Sequence, residues 1–123
     1  MASILIIDDS SFQRSVIRDL MHEAGHDTAE AANGRTGLDL ITASKPDCIL
    51  TDLLMPDMGG LELLEALHEQ GTTVPVIIIT ANSQSSVRQR CLELGAAAVV
   101  NKPVKAAELF AALKEVLVNT RIR

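Results

Sequence analysis

Four short apolar runs divide the chain: Ser3–Ile7, Asp47–Thr51, Val76–Ile79 and Ala97–Val100. They are rich in Ile and Val and apolar on consecutive positions, so neither face of such a strand is left polar. Strands of this kind need cover on both sides, which a parallel sheet flanked by helices provides. A fifth segment, Asp27–Ala31, alternates weakly and suits an edge strand, where a polar side is tolerated.

Between the runs the apolar period becomes helical. Phe12, Val16, Leu20 and Ala24 recur at i+4 with Ile17 and Met21 beside them; Ser10 with Gln13 reads as a capping box and Gly25 as the stop. Leu38, Leu40 and Ile41 mark a second helix, closed by Ser44 to Pro46. Leu61, Leu63, Leu64 and Leu67 mark a third, closed near Gly71. Val87, Cys91 and Leu94 mark a fourth, opened by Asn82 or Ser83 and closed by Gly95. Leu109, Phe110, Leu113, Val116 and Leu117 mark the fifth. The expected fold is therefore α/β: a doubly wound, flavodoxin-like (βα)5 domain over residues 1–123, its five parallel strands in the order 2-1-3-4-5. Ligands in such sheets bind beyond the carboxyl ends of the strands.

Composition narrows the function. Two Phe, no Tyr and no Trp imply an aliphatic core and exclude base stacking on aromatic rings as a main activity. A net charge of −5 argues against general attraction to nucleic acid or anionic lipid. Cys48 and Cys91 have neither metal-ligand spacing nor a CxxC arrangement and are expected as reduced thiols. With no secretory signal and no run of membrane-spanning length, the chain is expected to be cytoplasmic.

Chemistry-bearing residues cluster where the strands end. Asp8 and Asp9 follow the first strand, Asp52 the third, Thr80 the fourth, and Asn101, Lys102 and Pro103 the fifth. Taken singly, each is ordinarily a cap, a turn residue or a solvated charge. Gathered at one sheet edge, three carboxylates repel one another unless a cation or protons intervene. Oxygen-only ligands on an open site favour a hard cation, Mg2+ in particular. Lys102 and Thr80 add a positive charge and a hydroxyl donor able to clamp the oxygens of a phosphoryl group. Asp52 is then the candidate nucleophile, and the Asp8–Asp9 pair the metal edge.

The segments IIDDS (6–10), TDLLMPDMGG (51–60), ITA (79–81) and NKP (101–103), in this order and spacing, resemble the receiver domain of two-component response regulators, of the single-domain chemotaxis type. The resemblance implies that Asp52 accepts a phosphoryl group from phosphohistidine on a sensor histidine kinase or phosphotransfer protein. It implies Mg2+ on Asp9, Asp52 and the backbone carbonyl of Leu54, with Asp8 acting largely through water. Lys102 would pair with the phosphoryl group. Thr80 would follow it inward and shift the face made by the fourth helix, fifth strand and fifth helix, where a downstream protein or a second copy would dock. The Lys102–Pro103 peptide is expected to be cis, and Pro56, Gly59 and Gly60 to shape the loop after Asp52. The protein would catalyse only its own phosphorylation and dephosphorylation.

Three positions depart from or tune the family pattern. Leu54 and Asn82, two residues beyond Asp52 and Thr80, flank the path of an attacking water; Leu54 cannot orient it, so a comparatively long-lived phospho-state is expected, while Asn82 could still position a water. Val99 stands where the family usually carries Tyr or Phe, so switching is expected without a ring flip. Two other functions are weighed. A small Mg2+-dependent phosphohydrolase would need D-x-D after the first strand, whereas here the acids are adjacent. A degenerate receiver, acting only as an interaction module, would lack a site residue, and none is missing. One domain fills the length, so no effector domain and no DNA-binding element is expected within it. The three His are expected on the surface, and Met55 and Met58 as filling or partner contacts. Arg88, Arg90 and Lys105 form a locally basic edge, solvated or docking.

Overall fold

A computed structural model describes residues 1–122, with side-chain surroundings through Asn119. Five strands alternate with five helices: β1 (Ser3–Ile7), α1 (Ser11–Glu23), β2 (Asp27–Ala31), α2 (Gly34–Ser44), β3 (Cys48–Asp52), α3 (Gly60–Glu69), β4 (Val76–Thr80), α4 (Ser85–Glu93), β5 (Ala98–Asn101) and α5 (Ala106–Ile122). The strands form one sheet in the order β2-β1-β3-β4-β5, and every pairing is parallel.

The consecutive apolar runs are explained by cover on both faces. Leu5, Ile7, Ile49 and Ile78 face one core with Ile41, Leu63, Leu64, Leu67 and Cys91, which come from α2, α3 and α4. Ile4, Ile6, Leu50, Ile77 and Ile79 face the other core with Ile17 and Met21 of α1 and Leu109, Leu113 and Val116 of α5. The period-two alternation of strand side chains thus feeds two aliphatic layers. Cys48 and Cys91 are buried free thiols in opposite layers, and burial pushes the Cys48 thiol up to about 12.

The structure corrects several boundaries. β3 begins at Cys48, one residue later than expected, because Asp47 is held in the preceding turn: its Oδ2 accepts from Ser3 N at 2.8 Å. β5 likewise begins at Ala98 and runs through Asn101, which pairs with Thr80, while Asp52 pairs with Ile79. Asp52, Thr80 and Asn101 are therefore the last rungs of their strands, not residues beyond them. On α1 the buried stripe is Ile17 and Met21. Phe12 is 70% exposed, Ala24 is exposed and Val16 only half-buried, because the neighbouring i+4 row turns toward the sheet. α4 opens at Gln84, not at Asn82 or Ser83. The Asn82 N–H donates to Thr80 Oγ1 at 3.0 Å and its Oδ1 accepts from Gln84 N at 2.9 Å, a turn that delays the helix. His26 is half-buried and not a free surface group: its Nδ1 accepts from Ala2 N at 3.0 Å.

Candidate functional site

At the carboxyl edge of the sheet, each site residue inherits its position from a strand end or the loop behind it. Asp8, immediately after β1, is 2% exposed, and each of its polar groups is engaged. Its N–H donates to the Ala31 carbonyl at 3.1 Å, and its carbonyl accepts from Arg14 Nη1 at 2.7 Å. Its Oδ1 accepts from Ser10 N at 2.9 Å, and its Oδ2 lies 3.2 Å from Lys102 Nζ. Ser10 in turn caps α1, its side chain accepting from Gln13 N at 3.2 Å.

Asp52 Oδ1 accepts from Leu53 N at 2.8 Å, and Oδ2 lies 3.4 Å from Lys102 Nζ. Burial pushes its carboxyl above the ordinary value of 3.8, with the Asp8 charge adding to the rise; Lys102 and the Leu53 N–H oppose it. Asp8, Asp9 and Asp52 each offer an oxygen within 4.8 Å of the others, Asp9 being the exposed member. One lysine bridging two of three carboxylates leaves the pocket short of positive charge. The chemistry of this all-oxygen donor set fits a hard divalent cation.

The loop after Asp52 folds back tightly. Gly60 N donates to Leu53 O at 2.8 Å, and a Cβ on Gly60 would stand 2.8 Å from Asp52 O, closer than any side chain allows. Leu54 projects outward, 77% exposed. Met58 packs against Gly34 at the start of α2, and both Met55 and Met58 fill space beside the first core. Across the sheet, Thr80 is 3% exposed; its carbonyl accepts from Lys102 N at 2.8 Å. Asn101 Nδ2 donates to Asn82 O at 3.2 Å, tying the β4–α4 loop to β5. The Lys102–Pro103 peptide is cis.

Together Asp52, Leu54, Thr80, Asn82, Gln84 and Lys102 line an open cleft of about 590 Å3. A larger groove of about 790 Å3 runs along α4, β5 and α5, lined by residues including Arg88, Leu92, Val99, Glu108 and Glu115. It holds none of the carboxylates described above. Val99 is buried within β5, and its carbonyl accepts from Arg88 Nη1 at 3.0 Å. One residue of the basic edge is thus turned back onto the strand.

The structure therefore brings Asp8, Asp9, Asp52 and Lys102 together, with Thr80, Asn82 and Leu54 lining the cleft that Asp52 and Lys102 share. Val99 stands apart, in the sheet behind α4. Sequence reasoning missed Arg14 as a structural member of this site, because its partner there is a backbone carbonyl, which leaves no trace in sequence.

Residues 4–114 match the family model described as the response regulator receiver domain. The sporulation initiation phosphotransferase F of Bacillus subtilis is 35% identical over 114 residues, covering 93% of this chain and 92% of that protein. The sensor histidine kinase RcsC of Escherichia coli K12 is 35% identical over 101 residues, covering 82% of this chain but 11% of the kinase. Among solved structures, the receiver domain of the Francisella response regulator 1452 superposes with a TM-score of 0.93 at 29% identity, covering 98% of this chain and 99% of that one. Among the described residues no helix is long and apolar enough to cross a membrane.

Proposed function

Because this chain belongs to the response regulator receiver family, with a role in phosphorelay signalling, we propose that its acidic cleft takes a phosphoryl group on Asp52 from phosphohistidine. The observation that carries this reading is Lys102 Nζ, placed 3.2 Å from Asp8 and 3.4 Å from Asp52. The donor would be a sensor histidine kinase or a phosphotransfer protein.

In the reaction an Asp52 carboxylate oxygen attacks phosphorus, a P–O bond forms, the P–N bond to imidazole breaks, and the imidazole nitrogen retains the electron pair and takes a proton. Mg2+, held by Asp9, Asp52 and the Leu54 carbonyl, with Asp8 largely through water, would neutralise charge on the transferring oxygens. Lys102 supplies the second positive charge, released from Asp52 toward the phosphoryl oxygens while Asp8 still orients it. Thr80, whose Oγ1 accepts from the Asn82 N–H within its own loop, is the hydroxyl able to turn toward the new anion. That rotation gives up the Asn82 contact and draws on the loop that opens α4. The shift would pass to α4, β5 and α5, the face for a downstream protein or a second copy. On this reading the protein is a self-modifying switch that catalyses only its own phosphorylation and dephosphorylation.

The test is intact mass after incubation with Mg2+ and acetyl phosphate. One phosphoryl adduct, absent in Asp52→Asn and absent without Mg2+, is the expected result. An adduct that persists in Asp52→Asn, or none at all, contradicts the reading.

A further inference from the structure

The edge strand β2 and helix α1 meet beside the acidic pocket through a chain of charged contacts. Glu30, on β2, is gripped by two arginines of α1: its Oε1 lies 3.2 Å from Arg14 Nε and its Oε2 3.3 Å from Arg18 Nη1. Arg14 uses the other side of its guanidinium differently, donating from Nη1 to the backbone carbonyl of Asp8 at 2.7 Å. It is the more enclosed of the two arginines, its side chain 19% exposed against 38% for Arg18. One planar group therefore clasps an edge-strand carboxylate and the peptide that joins Asp8 to Asp9.

That peptide is the hinge between two unlike acids. Asp8 is locked by Ala31, Ser10 and Lys102, whereas Asp9 is exposed. The carbonyl of Asp8 and the N–H of Asp9 share one rigid plane. Fixing the carbonyl therefore fixes the direction in which Asp9 leaves the strand. A guanidinium whose Nε is itself anchored resists rotation, so it holds that plane more firmly than a lone flexible cation.

We propose that Arg14, buttressed by Glu30, is a positioning residue that orients Asp9 toward the divalent cation of the pocket. The proposal rests on the reading of the site as a Mg2+-dependent phosphorylation centre. Two effects of Arg14 oppose each other, which makes the proposal testable. As a charge near three carboxylates, it weakens cation binding; as a clasp, it strengthens binding by holding a ligand in place. Outer partners that orient metal ligands commonly govern affinity by about 10–100-fold, and here geometry is expected to win.

The experiment is Mg2+ titration by calorimetry on the whole chain, in the absence of any phosphodonor, with thermal melts run alongside. Arg14→Met keeps the aliphatic stem and removes both contacts; its Mg2+ affinity is expected to fall by about tenfold. Arg14→Lys, which retains charge but cannot clasp both partners, and Glu30→Ala, which frees the Nε side, are expected to fall between. Arg14→Met binding Mg2+ as well as or more tightly than the native chain would overturn the proposal, even with a lowered melting temperature, since Arg14 would then be only a structural or a charge residue. Full native affinity in Arg14→Lys would overturn the two-point clasp. If the native chain itself binds no Mg2+, the reading of the site fails with it, an outcome distinct from failure of Arg14 alone.

Discussion

Helices α1 and α4 both begin at the rim of the acidic cleft, yet they are held in different ways. α1 buries Ile17 and Met21 against the sheet, and the Ser10 side chain caps its start. Arg14 and Arg18 tie it to Glu30, and Arg14 also ties it to the Asp8 carbonyl. α4 is shorter, buries only Cys91 among its residues, and starts at Gln84 without a side-chain cap bond. Its polar tie to the sheet is Arg88 donating to the Val99 carbonyl. A helix with one small buried side chain is drawn from the low-stability end of a fold. The difference teaches a division of labour: the side that presents Asp8 and Asp9 is braced, and the side reached through Thr80 is free to yield.

Five substitutions break or sharpen that contrast. The largest effect is expected from Ile17→Ala, which empties a fully packed site and costs about 3 kcal/mol in urea unfolding, whereas Cys91→Ala costs about 1 kcal/mol. Equal losses would erase the distinction between the helices. Next comes Leu54→Asn, which replaces an exposed apolar side chain at the cleft with one able to orient water. Loss of the phosphoryl group, followed by intact mass, is expected to speed up on the order of tenfold; an unchanged half-life would remove Leu54 from the control of lifetime. Arg88→Met deletes the polar tie of α4 and is expected to raise amide exchange across Ser85–Glu93 about fivefold, matching a hydrogen bond of about 1 kcal/mol, with α1 unaffected.

The smallest effect concerns the pocket itself. Burial raises the Asp52 carboxyl above 3.8, so the folded chain keeps that proton to higher pH than the unfolded chain does. Without Mg2+, unfolding releases a proton in the window between the two values, and this contribution to stability falls as pH rises through it. Asp52→Asn removes the penalty, and its melting temperature in Mg2+-free neutral buffer is expected to rise by about 2–4 °C. A fall in that buffer would mean that the Lys102 contact outweighs burial.

Much of this arrangement is written in local patterns. Runs such as Ile4–Ile7 and Val76–Ile79 are apolar on successive positions because both faces are covered, so the sheet, its order and its carboxyl edge follow from periodicity and chain topology. Asp8, Asp9, Asp52, Thr80 and Lys102 are legible for the same reason: they stand where those runs stop. What escapes is set by contacts distant in sequence. The start of β3 depends on Asp47 accepting from Ser3, and the start of α4 on Asn82 reaching Gln84 while Thr80 holds it. The α1 stripe was ambiguous because two neighbouring i+4 rows are both apolar, and only the sheet selects Ile17 and Met21. Arg14 was invisible as a site member because its partner is a carbonyl, a group every residue carries.

The contrast between the two helices is tested most directly by hydrogen exchange measured by mass spectrometry, with and without stoichiometric phosphorylation by acetyl phosphate and Mg2+. Exchange is expected to change across residues 81–93 and in β5, while Ser11–Glu23 keeps its protection or gains some. A change in α1 as large as that in α4, or no change in α4 despite a complete phosphoryl adduct on Asp52, would contradict a braced metal side coupled to a yielding output side.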